Sequence, residues 1–503
     1  MDLLLILPSI ICFAAGIALL VLSFKDHLHE ADWFGRKPDE KELRKLHIAV
    51  ITIMAAAALL TLVIAWTGDR SLDLLTFVDG LTISFHIDNI SRIFVTVTAL
   101  VWFLACLYAT EYMSHEGNEK RFFGFYLIVY GVLVLIDFSG NLVTFYFFYE
   151  MMTLTSMAMV LHNGTREAIM ASLKYMFYSM AGAYCALFGI YLLYQNCSSL
   201  DFTEGGTLTA NALVSHPTMI LSGVLLMMIG FGAKAGMMPL HSWLPAAHPV
   251  APTPASAVLS SIIVKAGVLG AVRTIYYIVG PDYIRGTWMQ AAWIILSLGT
   301  VFMGSLLAFR EKVFKKRLAY STVSQVSYIM FGLAVLDETA LTGALLHVIV
   351  HAFVKCALFA SAGILIYRTG MTNVTDYKGV GKKMPVTMWC YTIASLTLIG
   401  IPPTGGFISK WYLALGSLGG NIGVLGYVGP AVLLASALLT AGYLLPISLD
   451  AFLPGSKDET PRQREKIDAM SILPLILVTC AVLIGLFPNP VLEFIEQTIS
   501  GLL

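Results

Sequence analysis

Charged residues are scarce in this sequence. Asp, Glu, Lys and Arg make up 12% of the 503 residues, against about 25% in soluble globular proteins, and the formal net charge is zero. A neutral balance offers no basic surface, so we expect no nucleic-acid partner. Cofactor motifs are missing too: the seven cysteines form no CxxC pair, and there is no HExxH or nucleotide fingerprint. The sequence therefore predicts no cofactor, no metal, and no redox or catalytic centre on this chain.

Apolar residues are correspondingly abundant in this sequence. They make up 57% of the chain, and the mean hydropathy is +0.79. Apolar runs of about 20 residues, separated by short polar loops, are long enough to cross a bilayer. The fold class is therefore an all-α polytopic membrane protein surrounded by lipid. We predict fourteen transmembrane helices, at residues 2–24, 46–66, 88–112, 121–137, 140–162, 167–195, 218–239, 254–278, 288–309, 318–336, 339–367, 385–416, 425–451 and 469–487.

The connections between these spans carry two further predictions. Residues 77–87 alternate around a glycine and predict a short hairpin. Lys and Arg gather in the loops after spans one, three, five, nine, eleven and thirteen, whereas the opposite loops hold Arg70 and Arg285. Because cytoplasmic loops are rich in Lys and Arg, both termini are expected on the non-cytoplasmic side.

Some cations lie inside the spans, where a charge near the bilayer centre costs about 2.5–3.5 kcal/mol. Arg92 and Arg273 lie towards span ends, and we expect them to reach the lipid interface by snorkelling. For Lys174, anchoring and function both remain open. The other four lack an acidic neighbour one helical turn away, so their partners must come from other helices. The full set is Arg92, Lys174, Lys234, Lys265, Arg273, Lys355 and Lys410.

Glu150 is the one acidic residue that the span boundaries place deep in an apolar run. Alone it could be neutral and structural. Beside intramembrane lysines it is the natural counter-charge, because an opposite charge favours the ionised form while burial favours the neutral form. In such a pair the ionised and neutral forms are close in free energy, so a small change in the separation or hydration of the two groups could move a proton.

Span eleven carries His347, His351 and Lys355 at i, i+4 and i+8, which places all three on one helical face. Three titratable groups in line favour a hydrated proton path, since histidine changes charge near neutral pH. A structural role for buried histidines remains an alternative. A metal site would need more ligands than these two histidines.

Two spans contain helix-breaking sequences. Residues 401–406 read IPPTGG, and Lys410 follows by about one turn. In span seven, Lys234 comes just before Gly236 and Pro239. Unwound backbone at membrane depth survives only inside protein or beside water. Broken helices in distant parts of a chain suggest internal repeats with sites near the midplane, so spans four to eight could repeat as nine to thirteen.

At these residues the chain closely resembles the antiporter-like subunits shared by respiratory complex I, Mrp-type sodium/proton antiporters and membrane-bound energy-converting hydrogenases. The matching segments are 234–257, 317–328, 351–359 and 400–412. One departure is Ala246, where WLPDAH-type loops often carry an acidic residue. This weakens a simple match to the complex I branch and looks more like the hydrogenase-linked members.

The resemblance implies two inverted five-helix repeats and discontinuous helices seven and twelve. The expected divisions are an N-terminal segment (1–120), two ion-translocation repeats (121–280 and 281–451) and a cytoplasmic loop with a C-terminal span (452–503). It also implies a lateral proton relay at mid-membrane: Glu150 paired with Lys234, then Lys265, His351 and Lys410, with less certain roles for His347 and Lys355.

The function implied is a proton-translocating subunit of a multisubunit redox-driven complex, of the energy-converting hydrogenase or NADH/ferredoxin:quinone oxidoreductase type. An Mrp-type Na⁺/H⁺ antiporter subunit without a redox partner remains the alternative. The expected partners are other membrane subunits, including further antiporter-like subunits, and H⁺, with Na⁺ left open. The expected location is the inner (plasma) membrane of a prokaryote. A passive scaffold would leave the buried charges unexplained.

Overall fold

The computed structural model describes residues 2–29, 40–78, 81–209, 212–453, 465 and 467–503. The middle parts of the two long charged connections, and the glycine of the predicted hairpin turn, lie outside the described residues. Eleven of the described helices are long and apolar enough to cross a membrane. The chain is therefore a mostly helical, polytopic membrane protein.

The N-terminal part contains six helices and one β-hairpin. The hairpin is antiparallel, as the alternation of its residues predicts. Its second strand continues into the start of α3, where Asp88 caps the helix by accepting a hydrogen bond from the Ser91 backbone N at 2.7 Å. The elements are α1 (Leu7–His29), α2 (Glu40–Trp66), β1 (Ser71–Val78), β2 (Leu81–His86), α3 (Asn89–Glu116), α4 (Glu119–Asp137), α5 (Leu142–Val160) and α6 (Arg166–Tyr194).

The next segment contains the first interrupted helix. Helix α7 ends at Ala235, because Gly236 adopts a left-handed conformation (φ 82°) and prolines follow. The chain resumes as a short helix and then enters a long helix with two π-type segments. The elements are α7 (Pro217–Ala235), α8 (Leu244–Val250) and α9 (Thr253–Val279), with π-type turns at Leu259–Ile263 and Arg273–Val279.

The C-terminal part contains the second interruption, between α13 and α14, where 400–404 leave the helical path. Both predicted helix breaks are therefore present. The elements are α10 (Trp288–Arg310), α11 (Phe314–Val335), α12 (Glu338–Thr369), α13 (Pro385–Ile399), α14 (Gly405–Gly419), α15 (Val424–Phe452), α16 (Ala469–Leu486) and α17 (Asn489–Ile499).

Burial separates the central helices from the peripheral ones. Within their most apolar stretches, 100% of α9, 94% of α11 and 89% of α12 is buried, whereas α1 is 28% buried. The side chains of Lys265 and Arg273 on α9 and of Lys355 on α12 are therefore buried within the protein. The predicted spans four, five and twelve coincide with α4, α5 and the α13–α14 pair. These helices are not among the eleven that are long and apolar enough to cross a membrane. The count of fourteen spans therefore stays a prediction.

Arg273 corrects one prediction. Its side chain does not snorkel to an interface: it is 1% exposed and forms an ion pair with Asp88. One guanidinium nitrogen lies 2.9 Å from Asp88 Oδ1 and the same nitrogen donates to Ser91 Oγ at 2.9 Å. The sequence hides this partner, because Asp88 lies 185 residues away. Arg92 fits the prediction better: its side chain is 16% exposed and contacts Asp69 at 2.6 Å.

Asp88→Asn is expected to destabilise the protein by about 3 kcal/mol, the lower end of the cost of breaking a buried ion pair. Asparagine keeps the helix cap but removes the charge that balances Arg273. The matched control is Asp69→Asn, because Asp69 is 77% exposed in its pair with Arg92 and should contribute about 1 kcal/mol or less. Thermal unfolding in detergent measures both, and equal midpoint shifts would contradict the prediction.

Candidate functional site

Lys234 lies in the last turn of α7, where side chains from α5 and α6 hold its ammonium group. Nζ donates to Thr153 Oγ1 at 2.9 Å and to Tyr175 Oη at 2.7 Å. It also lies 4.5 Å from the centroid of the Tyr175 ring, within cation–π range. The side chain is fully buried. Neutral oxygens and an aromatic face therefore replace water around this cation.

Glu150, the predicted counter-charge, lies on α5 about one turn before Thr153. Tyr146 Oη donates to Glu150 Oε1 at 3.3 Å, and the glutamate is half-buried. Among the ion pairs of the described residues, none joins Glu150 to Lys234 within 4.0 Å. Glu150 thus lies beside the Lys234 site without direct contact, and their pairing stays a prediction.

Lys265 and His351 meet in the centre of the bundle. Lys265 Nζ lies 2.6 Å from His351 Nδ1, which joins α9 to α12. Lys265 closely follows the first π-type segment of α9, a distortion that occurs frequently at functional sites. Both side chains are buried. Either nitrogen can carry the proton that the two share, so this contact has the geometry for proton exchange.

His347 lies one turn before His351 on α12. With Lys265 and His351 it forms a row of titratable side chains, called the row below. Its Nδ1 is 2.9 Å from Ser409 Oγ on α14, and its ring stacks on Tyr328 of α11 with centroids 5.8 Å apart. The Nε2 atoms of both histidines are buried and have no hydrogen-bond partner among the described residues. Buried polar atoms are commonly satisfied by ordered water. These two atoms therefore mark positions where water would complete the row.

Lys410, on α14, binds the C-terminal end of α13, the other half of the second interrupted helix. Its Nζ donates to the carbonyl oxygens of Leu398, at 2.6 Å, and Ile399, at 3.1 Å, the last residues of α13. Carbonyls at a helix C-terminus lack intrahelical donors and carry partial negative charge, so they attract a cation. Nζ also lies 4.8 Å from the centroid of the Tyr328 ring, which in turn stacks on His347. The second helix break thus holds a lysine at the end of the row.

Lys355 and Lys174 have different surroundings. Lys355 lies one turn after His351, is fully buried, and donates to the Leu318 carbonyl at 3.1 Å. It lies on the same face of α12 as His347 and His351, as its spacing in the sequence predicts. Lys174 is exposed on α6, with Nζ 5.7 Å from the centroid of the Tyr178 ring. That exposed position favours the anchoring interpretation of Lys174.

The structure brings the predicted residues into two groups. The first is Lys234 with Glu150 nearby. No described hydrogen bond or ion pair joins Lys234 to Lys265 in the second group. Their helices nevertheless touch: a Cβ atom on Gly267 of α9 would meet backbone atoms of α7. A proton that passes between the two lysines would therefore have to cross the α7–α9 interface. The second group is Lys265, His347, His351 and Lys410, with Lys355 beside them.

Sequence reasoning missed several polar residues around the row. Asp137, at the end of α4, is 4% exposed and lines a cavity with Lys265. It is the last residue of the predicted span 121–137, so it did not count as an acidic residue deep in an apolar run. Thr153 and Tyr175 gave no signal, because hydroxyl side chains are common in membrane helices. Within the described ranges, no group of three or more His, Cys, Asp or Glu side chains could hold a metal ion.

Comparison with known proteins places this arrangement in a family. A family model described as "NADH:quinone oxidoreductase/Mrp antiporter, TM" matches residues 139–444. A second model, "NADH-Ubiquinone oxidoreductase (complex I), chain 5 N-terminus", matches residues 78–123. The first match contains every candidate residue of the row, from Glu150 to Lys410.

Individual relatives agree with the family match. The chain is 34% identical over 431 residues to NADH-quinone oxidoreductase subunit N of Desulforudis audaxviator, which covers 82% of this chain and 83% of that protein. It is 26% identical over 506 residues to a Na(+)/H(+) antiporter subunit of Alkalihalophilus pseudofirmus, covering 100% and 98%. A chain of the Mrp complex from Dietzia sp. has the same fold, with a TM-score of 0.83 and 21% identity over 100% of this chain and 98% of that one. The chain therefore belongs to the NADH:quinone oxidoreductase/Mrp antiporter transmembrane family.

Proposed function

We propose that this chain translocates protons through the buried row, as a subunit of a multisubunit redox-driven membrane complex. The observation that carries the proposal is the 2.6 Å contact between Lys265 Nζ and His351 Nδ1 in the fully buried centre of the bundle. Buried charges are expensive in a membrane and commonly mark ion pathways. A structural role alone would not require two bases to share one proton.

The proposed relay begins at Glu150 and Lys234. A signal from a partner would change the distance or hydration between them, and so the tendency of Lys234 to hold its proton. The proton would then pass to Lys265, across the α7–α9 interface, and on to His351. Water at the free Nε2 atoms would carry it past His347 to Lys410. Lys355 would act as a nearby charge that adjusts this exchange.

The finer architecture is part of the same proposal. Helices 121–280 and 281–451 would form two inverted five-helix repeats within a fourteen-helix bundle, flanked by 1–120 and 452–503. The two helix breaks, one in each proposed repeat, support this division. In the proposed orientation the Lys- and Arg-rich loops and the 452–468 connection face the cytoplasm of a prokaryote, in the inner membrane, with both termini opposite.

The names of the relatives guide the choice of partner. One relative is a subunit of NADH-quinone oxidoreductase and another is a subunit of a Na(+)/H(+) antiporter. We therefore propose other membrane subunits, further antiporter-like subunits among them, as neighbours. A redox arm of the hydrogenase or quinone-reductase type would drive the relay. An Mrp-type Na⁺/H⁺ antiporter subunit without a redox arm is the second candidate, because the similarity to the Alkalihalophilus antiporter protein extends over the whole chain.

Isolation of the complex tests this proposal. We expect affinity-tagged chain, purified from its native membrane in mild detergent, to bring with it other membrane subunits and a cofactor-containing redox arm. Inverted vesicles that carry this complex should acidify when the redox reaction is started. Co-purification with small membrane subunits only, together with rescue of a sodium-sensitive strain, would instead select the antiporter candidate. Acidification in neither setting would contradict both.

A further inference from the structure

Asp137 is a carboxylate that the proposed relay does not use, although it lies next to the row. It is the last residue of α4 and is 4% exposed. Thr98 Oγ1 on α3 donates to Asp137 Oδ2 at 2.9 Å. Burial of a carboxylate is costly, and one hydroxyl donor satisfies only a small part of its acceptor capacity.

A small cavity connects Asp137 with Lys265. Its volume is about 10 Å³, and its polar wall is formed by Thr98, Asp137 and Lys265, while the rest is apolar. This volume is close to the minimum for one water molecule, and three polar groups are enough partners to hold it. The cavity therefore has the size and polarity to hold a single water molecule between the Asp137 and Lys265 side chains.

The Asp88–Arg273 pair lies about two turns after Lys265 on α9, and the Asp88 side chain is 16% exposed. A guanidinium group does not release its proton inside a protein, so Arg273 is no proton carrier. Asp137, and not this pair, is therefore the candidate exchange partner of Lys265.

We propose that Asp137 is a proton-exchanging partner of Lys265, reached through one water molecule in the Thr98–Asp137–Lys265 cavity. An N–H bond of the Lys265 ammonium breaks as the water accepts that proton and gives one of its own to the carboxylate. The products are a neutral amine, a carboxylic acid and water, so the total charge is unchanged. Lys265 then has two exchange partners, His351 and Asp137, and the row branches at α9. This inference rests on the proposed function, since the branch matters only if Lys265 carries protons.

The test compares Asp137→Asn with Glu119→Gln in the assembled complex. Glu119 is a matched control: it is a buried carboxylate at the other end of α4, bonded to His47 at 2.6 Å and far from the row. Proton translocation is followed by fluorescence quenching in inverted vesicles. We expect Asp137→Asn to lower the initial rate by about 100-fold, the lower range for removal of an acid–base group. Glu119→Gln should leave the rate unchanged, and equal rates in both variants would overturn the inference.

Lys265→Ala separates this inference from the proposed function. Normal translocation in that variant would overturn the relay itself. Loss of translocation in Lys265→Ala together with a normal rate in Asp137→Asn would overturn the branch and leave the relay standing. If Asp137→Asn does not assemble, Asp137→Glu is compared with the unsubstituted complex by infrared difference spectroscopy, recorded when the redox reaction is started. A C=O band of a protonated carboxylic acid that is shifted in the Asp137→Glu complex supports the inference. Identical bands in the two complexes overturn it.

Discussion

Lys234→Ala is expected to abolish proton translocation while the complex still assembles. Alanine removes the ammonium group that carries the proton in this site, whereas Thr153 and Tyr175 would remain as neutral oxygens. Assembly should survive, because α6 and α7 are held together by close backbone contacts at Gly182 and Gly230 that do not involve the lysine. Vesicle acidification measures translocation, and the yield of purified complex measures assembly.

Lys174→Ala is the matched control for this experiment. It removes a lysine from the neighbouring helix α6, but one that is exposed and, among the described residues, has no hydrogen bond or ion pair to the row. Its translocation rate should stay close to that of the unsubstituted protein. If Lys234→Ala pumped as well as Lys174→Ala, the relay could not begin at Lys234.

His351→Ala is expected to produce the second large loss, a fall in translocation of about 100-fold or more. The imidazole is the direct neighbour of Lys265, at 2.6 Å, and the next group towards His347. Its removal leaves the buried lysine facing a void and opens a gap of about one helical turn in the row. Vesicle acidification again gives the readout, with complex yield recorded beside it.

His115→Ala controls for the loss of a histidine as such. His115 lies exposed at the end of α3, where it contacts Tyr367. We expect no change in rate. An undiminished rate in His351→Ala would show that Lys265 passes its proton by another route, such as Asp137 or water alone, and would remove His351 from the relay.

Much of the fold follows from local sequence rules. The apolar runs give the helices, and glycine and proline give both breaks, because these residues act on the backbone where they stand. The row on α12 also follows from spacing alone: His347, His351 and Lys355 share one face whatever the rest of the fold does. Local rules of this kind need no knowledge of neighbouring helices.

Tertiary contacts account for what the sequence could not predict. Arg273 looked like an interfacial residue because its partner Asp88 belongs to a distant helix cap. Asp137 drew no attention because it is the last residue of a predicted span, yet it lines the same cavity as Lys265. Nothing in the local sequence indicates that Lys410 bonds the end of α13. These contacts depend on which helices pack together, and periodicity carries no information on that.

The complete burial of α9 has a consequence for biogenesis. Its mean hydropathy of 1.9 is high enough for the helix to insert into lipid despite Lys265 and Arg273. In the folded protein the same stretch is completely buried, in part against α12 through His351. Helix α12 begins at Glu338, 59 residues after the end of α9. The Lys265–His351 contact can therefore form only after the second half of the chain has been synthesised.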